Sequence, residues 1–142
     1  MKKFGAKSMR LSKGAEKIKK LIQEEGVNFT IEKIIPGLKS SKGKPYRFDF
    51  AIYSDDWKKF VLIEYDGEAH FKKIRHFHKN NTKYRNALGR DRRKNAYCLA
   101  HNITLYRVPY WEIDNINSLT DILDNDKFIV KSQYHNDRLT PK

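Results

Sequence analysis

Cysteine is almost absent from this sequence, since Cys98 is the only one in 142 residues. An internal disulfide is therefore excluded, and so are zinc modules that need several cysteines. Long hydrophobic runs are absent too: the longest uncharged apolar stretch, Phe60 to Ile63, is far shorter than the roughly 20 residues of a membrane-spanning helix. The basic start Met1-Lys2-Lys3 is not followed by the apolar segment of a signal peptide. We therefore expect a cytoplasmic protein that does not enter a membrane.

Acidic residues are few, with 17 Asp and Glu against 30 Lys and Arg, a formal net charge of +13 and an isoelectric point near 9.8. Such an excess of positive charge is typical of nucleic-acid-binding proteins. A basic surface also suits anionic membranes or simple solubility, so charge alone leaves the partner open. The length fits one domain that can bury a core without disulfides.

Hydrophobic periodicity and turn residues predict an α/β domain. The predicted elements are a helix at 14–25, strands at 27–35, 46–53 and 59–65, a helix at 82–101, a strand at 103–108 and a short helix at 115–123. Because a helix separates the last two strands, we expect these strands to be parallel. The predicted organisation is a basic arm at 1–12, one domain at 13–125 and a polar tail at 126–142, in which residues 130–142 are expected to fray.

Three carboxylates occur on strands that are otherwise apolar. Asp49 lies inside the strand at 46–53, although a carboxylate has low strand propensity and is costly to bury. On the next strand, alternation places Glu64 and Asp66 on one face with Leu62. A hairpin between the two strands would set Asp49 beside this pair, where like-charge repulsion favours a bound divalent cation. The alternative is that some of the three pair with Lys or Arg at a strand end.

Two further residues are candidates for acid–base chemistry. His70 closely follows the third strand, and sites form on loops at strand ends in open α/β sheets, although a lone histidine is more often structural. Asp91 and Asn95 fall in the middle of the apolar stripe of the long helix. An acid on that face either forms a buried salt bridge with a cation at 90 or 92–94, or points at His70 and orients its imidazole.

A strongly basic segment leads into the long helix. Residues 72–94 contain ten Lys and Arg against the single acid Asp91, with His76, His78 and Tyr84 interleaved. Phosphate contacts dominate the affinity of proteins for nucleic acid, so we expect this segment to bind the backbone, although a solvated helix face is the alternative. The candidate nucleic-acid-binding residues are Lys72, Lys73, Arg75, His76, His78, Lys83, Arg85, Arg90, Arg92, Arg93 and Lys94.

Taken together, these motifs resemble the very-short-patch-repair-like branch of the PD-(D/E)XK nucleases, which also includes the EDxHD homing endonucleases and many small phage-encoded proteins. The matching strings are Phe48-Asp49-Phe50, Ile63-Glu64-Tyr65-Asp66-Gly67-Glu68-Ala69-His70, Arg90-Asp91-Arg92-Arg93, Ile103-Thr104-Leu105-Tyr106-Arg107-Val108 and Trp111-Glu112. The resemblance covers residues 14–112. It implies a restriction-endonuclease-like core, with a central mixed four-stranded sheet flanked by helices.

The resemblance also implies a metal site. Asp49 and Glu64 would hold Mg²⁺ with the main-chain carbonyl of Tyr65, and Mn²⁺ would substitute for Mg²⁺. Asp66 stands where the superfamily's catalytic lysine would be, a residue that this branch lacks, and is a further candidate ligand. His70 would take over the role of that lysine as general base.

Asp91 would match the family's helical acid, which orients the histidine. Two features depart from the family pattern. His70 comes one position earlier after Gly67 than in the mismatch-repair members. The first helix of relatives often supplies a glutamate just after a glycine, but Ala15 follows Gly14 here, so Glu16, Glu25 or neither joins the site. No zinc-binding cysteine set accompanies the match.

The sequence hypothesis is therefore a metal-dependent endonuclease that hydrolyses DNA phosphodiester bonds by nicking one strand or cutting both. The expected partner is duplex DNA, including branched or mismatched duplexes, and the oligomeric state is left open between monomer and homodimer. Two alternatives stand beside it. One is an RNA-directed nuclease that uses the same residues, and the other is an inactive nucleic-acid-binding module with the nuclease fold.

Overall fold

The computed structural model describes residues 11–68 and 80–138. Its helices and strands are α1 (Lys13–Glu25), β1 (Asn28–Lys39), β2 (Pro45–Tyr53), β3 (Phe60–Asp66), α2 (Asn80–Ala100), β4 (Leu105–Pro109) and α3 (Thr120–Leu123). Short 3₁₀ segments lie at Tyr110–Asn115, Asp126–Phe128 and His135–Arg138. In the described part of the chain, no helix combines the length and the apolar character that crossing a membrane requires.

The strands form one mixed sheet in the order β1-β2-β3-β4. The pairs β1–β2 and β2–β3 are antiparallel, whereas β3 and β4 are parallel. The predicted parallel crossover is confirmed, as is the mixed four-stranded sheet flanked by helices. β1 runs past the expected end at Ile35, since Pro36 is tolerated on an edge strand that needs no further ladder partner.

Helix α1 begins and ends where capping residues place it. The Ser12 side chain accepts a hydrogen bond from the Ala15 N–H at 3.3 Å, which satisfies one of the unpaired donors of the first turn. Gly26 ends the helix in the left-handed conformation, with φ of 75°. The apolar face of α1 is buried against the sheet through Ile18 and Ile22, as the helical spacing predicts.

The sheet separates two hydrophobic clusters. One contains the apolar face of α1, Phe50 and Ile63 from the sheet, and Leu119 and Phe128 from the C-terminal segments. The other contains residues of the opposite sheet face together with Cys98 of α2. The sheet therefore lies between α1 with α3 on one side and α2 on the other. Burial raises the pKa of the Cys98 thiol to about 12, so this cysteine is a core residue.

The C-terminal segment corrects one expectation. Residues 126–138 are packed against the domain instead of forming the predicted polar, frayed tail. Phe128 and Val130 are buried, and the Val130 N–H donates to the Leu105 carbonyl at 2.9 Å. Asn136 is also buried, where it binds Asp66. The segment lacks a helix or strand period because single residues anchor it, so periodicity could not reveal its burial. Residues 139–142 lie outside the described range.

Candidate active site

Asp49 lies where β2 and β3 stop pairing. The paired residues run from Tyr53 with Phe60 to Phe50 with Ile63, and both strands continue past the last pair. There, Asp49 Oδ2 accepts a hydrogen bond from the Tyr65 N–H at 2.7 Å. The Asp49 carboxylate thus takes the place of a ladder partner in the gap between the strands.

Glu64 lies on the face of β3 that is directed toward α2. The predicted alternation is confirmed, because Leu62, Glu64 and Asp66 are all buried on the α2 side, where they contact residues of α2 or β4. Glu64 Oε2 accepts a hydrogen bond from Lys94 Nζ at 2.5 Å, and the Lys94 side chain is only 8% exposed. Lys94 Nζ also donates to the Arg47 carbonyl at 2.5 Å. Lys94 therefore ties Glu64 to β2.

The pKa values of Asp49 and Glu64 are shifted in opposite directions. Burial and the charge of Glu64, with a hydrogen bond between the two carboxyl groups, raise the pKa of Asp49 well above its ordinary value, although the Tyr65 N–H opposes the shift. Burial raises the pKa of Glu64 as well, but the charges of Lys94 and Arg107 outweigh burial and hold that pKa below its ordinary value. A negative charge on Asp49 is therefore unfavourable in the folded protein.

Asp66 and Asp91 share a buried arginine. Arg107 of β4 donates from Nη1 to Asp66 at 2.7 Å and from Nη2 to Asp91 at 3.5 Å. Its Nε donates to the Asn95 side chain at 2.8 Å. The exposed fractions are 1% for Arg107, 0% for Asp66 and 2% for Asp91. This ion-pair network holds α2 against β3 and β4.

The network corrects part of the carboxylate prediction. The expected crowding of three acids does not include Asp66, which is paired with Arg107 as the alternative interpretation allowed. The salt bridge of Asp91 is also found, but its cation comes from β4 and not from the neighbouring basic residues of α2. Asn95, which shares the core face of α2 with Asp91 as predicted, is fully buried.

An open cleft of about 410 Å³ lies beside Asp49 on the α1 side of the sheet. The described residues that line the cleft are Leu11, Ser12, Ala15, Glu32, Arg47, Asp49, Tyr65 and Gly67. Gly14 allows α1 to approach the cleft, because a Cβ there would lie 2.2 Å from the ring of Tyr65. Ala15 lines the cleft, whereas Glu16 and Glu25 are exposed and do not line it. Neither of these two candidate glutamates therefore lies at the cleft.

Several predicted site residues cannot be placed. His70 lies outside the described residues, so its role as general base and its contact with Asp91 stay predictions. The same holds for Lys72, Lys73, Arg75, His76 and His78, and for the side chain of Lys83.

The other predicted phosphate-binding residues belong to α2. Arg85, Arg90 and Arg93 are exposed on this helix, although Arg93 also donates to the Tyr46 hydroxyl at 2.9 Å. Arg92 pairs with Asp137. The structure corrects the prediction that Lys94 binds nucleic acid. Its side chain is buried against Glu64 and is not placed to contact nucleic acid at the surface.

Sequence reasoning missed four charged residues around the site: Glu32, Arg47, Lys94 in its buried role, and Arg107. The sequence did contain a signal for Arg107, because it is the one charged residue of β4, a strand whose other residues are all buried. Lys94 also had one, because a spacing of three residues places it on the same face of α2 as Asp91. Glu32 and Arg47 gave no such signal, because a charged side chain at a half-buried or exposed position of a strand is ordinary.

Comparisons with known proteins leave the family open. No family model matches the chain, and no solved structure matches it significantly. The chain is similar to "Uncharacterized protein 307L" of Invertebrate iridescent virus 6, with 39% identity over 71 residues. The aligned region covers 50% of this chain but only 35% of the viral protein. The likeness assigns no activity, because the viral protein is itself uncharacterised.

Proposed function

We propose that this protein is a metal-dependent endonuclease that hydrolyses DNA phosphodiester bonds, with a restriction-endonuclease-like core. The observation that carries the proposal is the adjacent pair Asp49 and Glu64 at the gap between β2 and β3, next to an open cleft. The negative charge of Glu64 makes ionisation of Asp49 costly, an arrangement that a bound divalent cation relieves. The high net positive charge supports a polyanionic substrate.

The carboxylate chemistry of Asp49 and Glu64 supports Mg²⁺ as the cation. Carboxylate oxygens are the hard donors that Mg²⁺ takes, and it usually keeps several waters in place of an all-protein cage. Among the described residues, no group of three or more acidic, His or Cys side chains could hold a metal, so waters would complete the coordination of a cation on Asp49 and Glu64. In an extended strand the N–H and C=O of one residue point to the same side, so the Tyr65 carbonyl is directed toward Asp49.

Asp49 and Glu64 would hold the cation, which when bound would polarise the phosphate and stabilise the leaving oxygen. Lys94 keeps Glu64 ionised and fixes its position through the 2.5 Å hydrogen bond. Arg85 and Arg90 on the exposed side of α2 would bind the phosphate backbone.

His70 is proposed to take the proton of the attacking water, since an imidazole with an ordinary pKa of about 6.5 is mostly neutral at cellular pH. Asp91 is proposed to orient His70 in addition to its contact with Arg107. In this role Asp91 would favour the tautomer that accepts the proton.

Conversion of supercoiled plasmid tests the proposal. With Mg²⁺ or Mn²⁺ we expect open-circle or linear DNA, and with EDTA we expect the plasmid to stay supercoiled. Open circles would show nicking, and linear DNA would show cutting of both strands. The same incubation with RNA separates the RNA-directed alternative. If plasmid and mismatched or branched duplexes are bound but stay intact with both metals, the protein is a binding module and the proposal is wrong.

A further inference from the structure

We propose that Arg47 binds a backbone phosphate of the substrate in the cleft, and that Glu32 positions the Arg47 guanidinium for this contact. The inference rests on the proposed function and names the residue of the cleft that receives the substrate. Arg47 lies outside the basic segment at 72–94 that the sequence analysis assigned to phosphate binding.

Arg47 is positioned at the cleft beside Asp49. Arg47 and Asp49 are two residues apart on β2, and both line the cleft. Among the described residues that line the cleft, Arg47 is the only one with a positive charge. A phosphate that approaches Asp49 meets the repulsion of two lining carboxylates, Asp49 and Glu32, and a cation beside them is needed to offset it.

The backbone of Arg47 is fixed, whereas its side chain is exposed. Its carbonyl accepts the Lys94 hydrogen bond at 2.5 Å, so its backbone is fixed to the same lysine that holds Glu64. Its side chain is 54% exposed, and Nη1 lies 3.7 Å from Glu32 Oε1. A guanidinium has five donors, so one contact with Glu32 leaves others free to bind a phosphate in a bidentate manner.

The backbone of Glu32 is strained. The β1–β2 pairing is regular on both sides, with Ile31 opposite Phe50 and Lys33 opposite Phe48, but Glu32 and Asp49 are not paired. Glu32 has φ of 51°, a left-handed conformation that costs a residue other than glycine about 1–3 kcal/mol. An exposed ion pair contributes about 0–1 kcal/mol, too little to explain this strain by stability. Positioning Arg47 in the cleft does explain it.

Affinity for a fluorescently labelled 20-base-pair duplex, measured by anisotropy in EDTA over a series of NaCl concentrations, tests Arg47 without any cleavage. For Arg47→Ala we expect binding about tenfold weaker near 0.1 M salt, and a slope of log K against log salt smaller by about 1. Arg47→Lys should restore the slope, because it keeps the charge, but only part of the affinity, because it loses the bidentate geometry. The matched control is Lys131→Ala. Lys131 is exposed and follows the segment that pairs with β4, at the edge of the sheet opposite to β1.

Glu32→Gln tests the positioning role. We expect unchanged or tighter binding, since a negative charge leaves the cleft, together with a several-fold slower single-turnover cleavage at saturating protein. Equal affinity and slope for the natural protein and Arg47→Ala would overturn the inference while leaving the endonuclease proposal intact if the natural protein still cleaves. Absence of both binding and cleavage in the natural protein would overturn the two together.

Discussion

Arg107→Met is expected to lower the free energy of unfolding by about 3–5 kcal/mol, the cost of removing one partner from a buried ion pair. The guanidinium contacts Asp66, Asp91 and Asn95, and all three side chains are buried. Methionine fills similar space but offers no hydrogen-bond donor, so two buried carboxylates lose the charge that compensates for their desolvation. Urea denaturation followed by circular dichroism measures the change.

The control for this experiment is Lys127→Met. Lys127 pairs with Glu112, but its side chain is 55% exposed, so we expect a change within about 0.5 kcal/mol. A loss of less than about 1 kcal/mol for Arg107→Met would mean that the buried network does not stabilise the fold. Adding Asp66→Asn to Arg107→Met should recover part of the loss, because the double change removes one of the two charges that Arg107 compensates.

Asp49→Asn is expected to reduce the rate of metal-dependent cleavage by about 1000-fold or more, which corresponds to about 4 kcal/mol of lost transition-state stabilisation. Asparagine is nearly isosteric with aspartate and can still accept the Tyr65 N–H, so the fold should be retained. The carboxylate that would hold the cation is lost. Single-turnover cleavage of plasmid, with excess protein, measures the effect on the chemical step.

The matched control is Asp55→Asn, because Asp55 is an exposed acid in the turn between β2 and β3, at the other end of the strand from Asp49. Its cleavage rate should equal that of the natural protein. The control is purified in parallel, so equal activity in all three preparations would indicate a contaminating nuclease. If Asp49→Asn lowers the cleavage rate less than tenfold, Asp49 does not take part in the reaction.

The fold could be predicted from the sequence wherever one element has a clear period or cap. Helix α1 follows from its apolar spacing between Ser12 and Gly26, and the parallel pairing of β3 and β4 follows from the helix between them. The C-terminal segment could not be predicted, since its packing depends on single anchors such as Phe128 and Asn136. Such contacts depend on which surfaces the rest of the chain leaves uncovered.

The site was predicted in part. A carboxylate inside an apolar strand indicated Asp49, and alternation on β3 indicated Glu64 and Asp66, because both signals are local. The pairing of Asp66 with Arg107 is a contact across 41 positions, and no local pattern reveals it. Lys94 was assigned to the surface because it belongs to a basic segment, although its spacing from Asp91 places it on the core face of α2, against Glu64, 30 positions away.

The central claim is that Asp49 and Glu64 hold a divalent cation, and thermal melting of the natural protein and Asp49→Asn, in EDTA and in excess Mg²⁺, tests it most directly. The raised pKa of Asp49 means that its ionisation destabilises the folded protein. In EDTA, Asp49→Asn should therefore melt higher at a pH above that pKa, by about 3–5 °C for each kcal/mol in a chain of this size. The difference should shrink as the pH falls below that pKa and disappear below the ordinary pKa of an aspartate.

In Mg²⁺ the natural protein should gain stability relative to Asp49→Asn. A cation at ten times its dissociation constant stabilises the natural protein by about 1.4 kcal/mol, and it should add nothing to Asp49→Asn. Ionic strength is matched between the two buffers, so that general screening affects both proteins alike. A rise in the melting temperature of the natural protein on adding Mg²⁺, with no such rise for Asp49→Asn, is the predicted result. An equal response of the two proteins to Mg²⁺ would contradict the cation site.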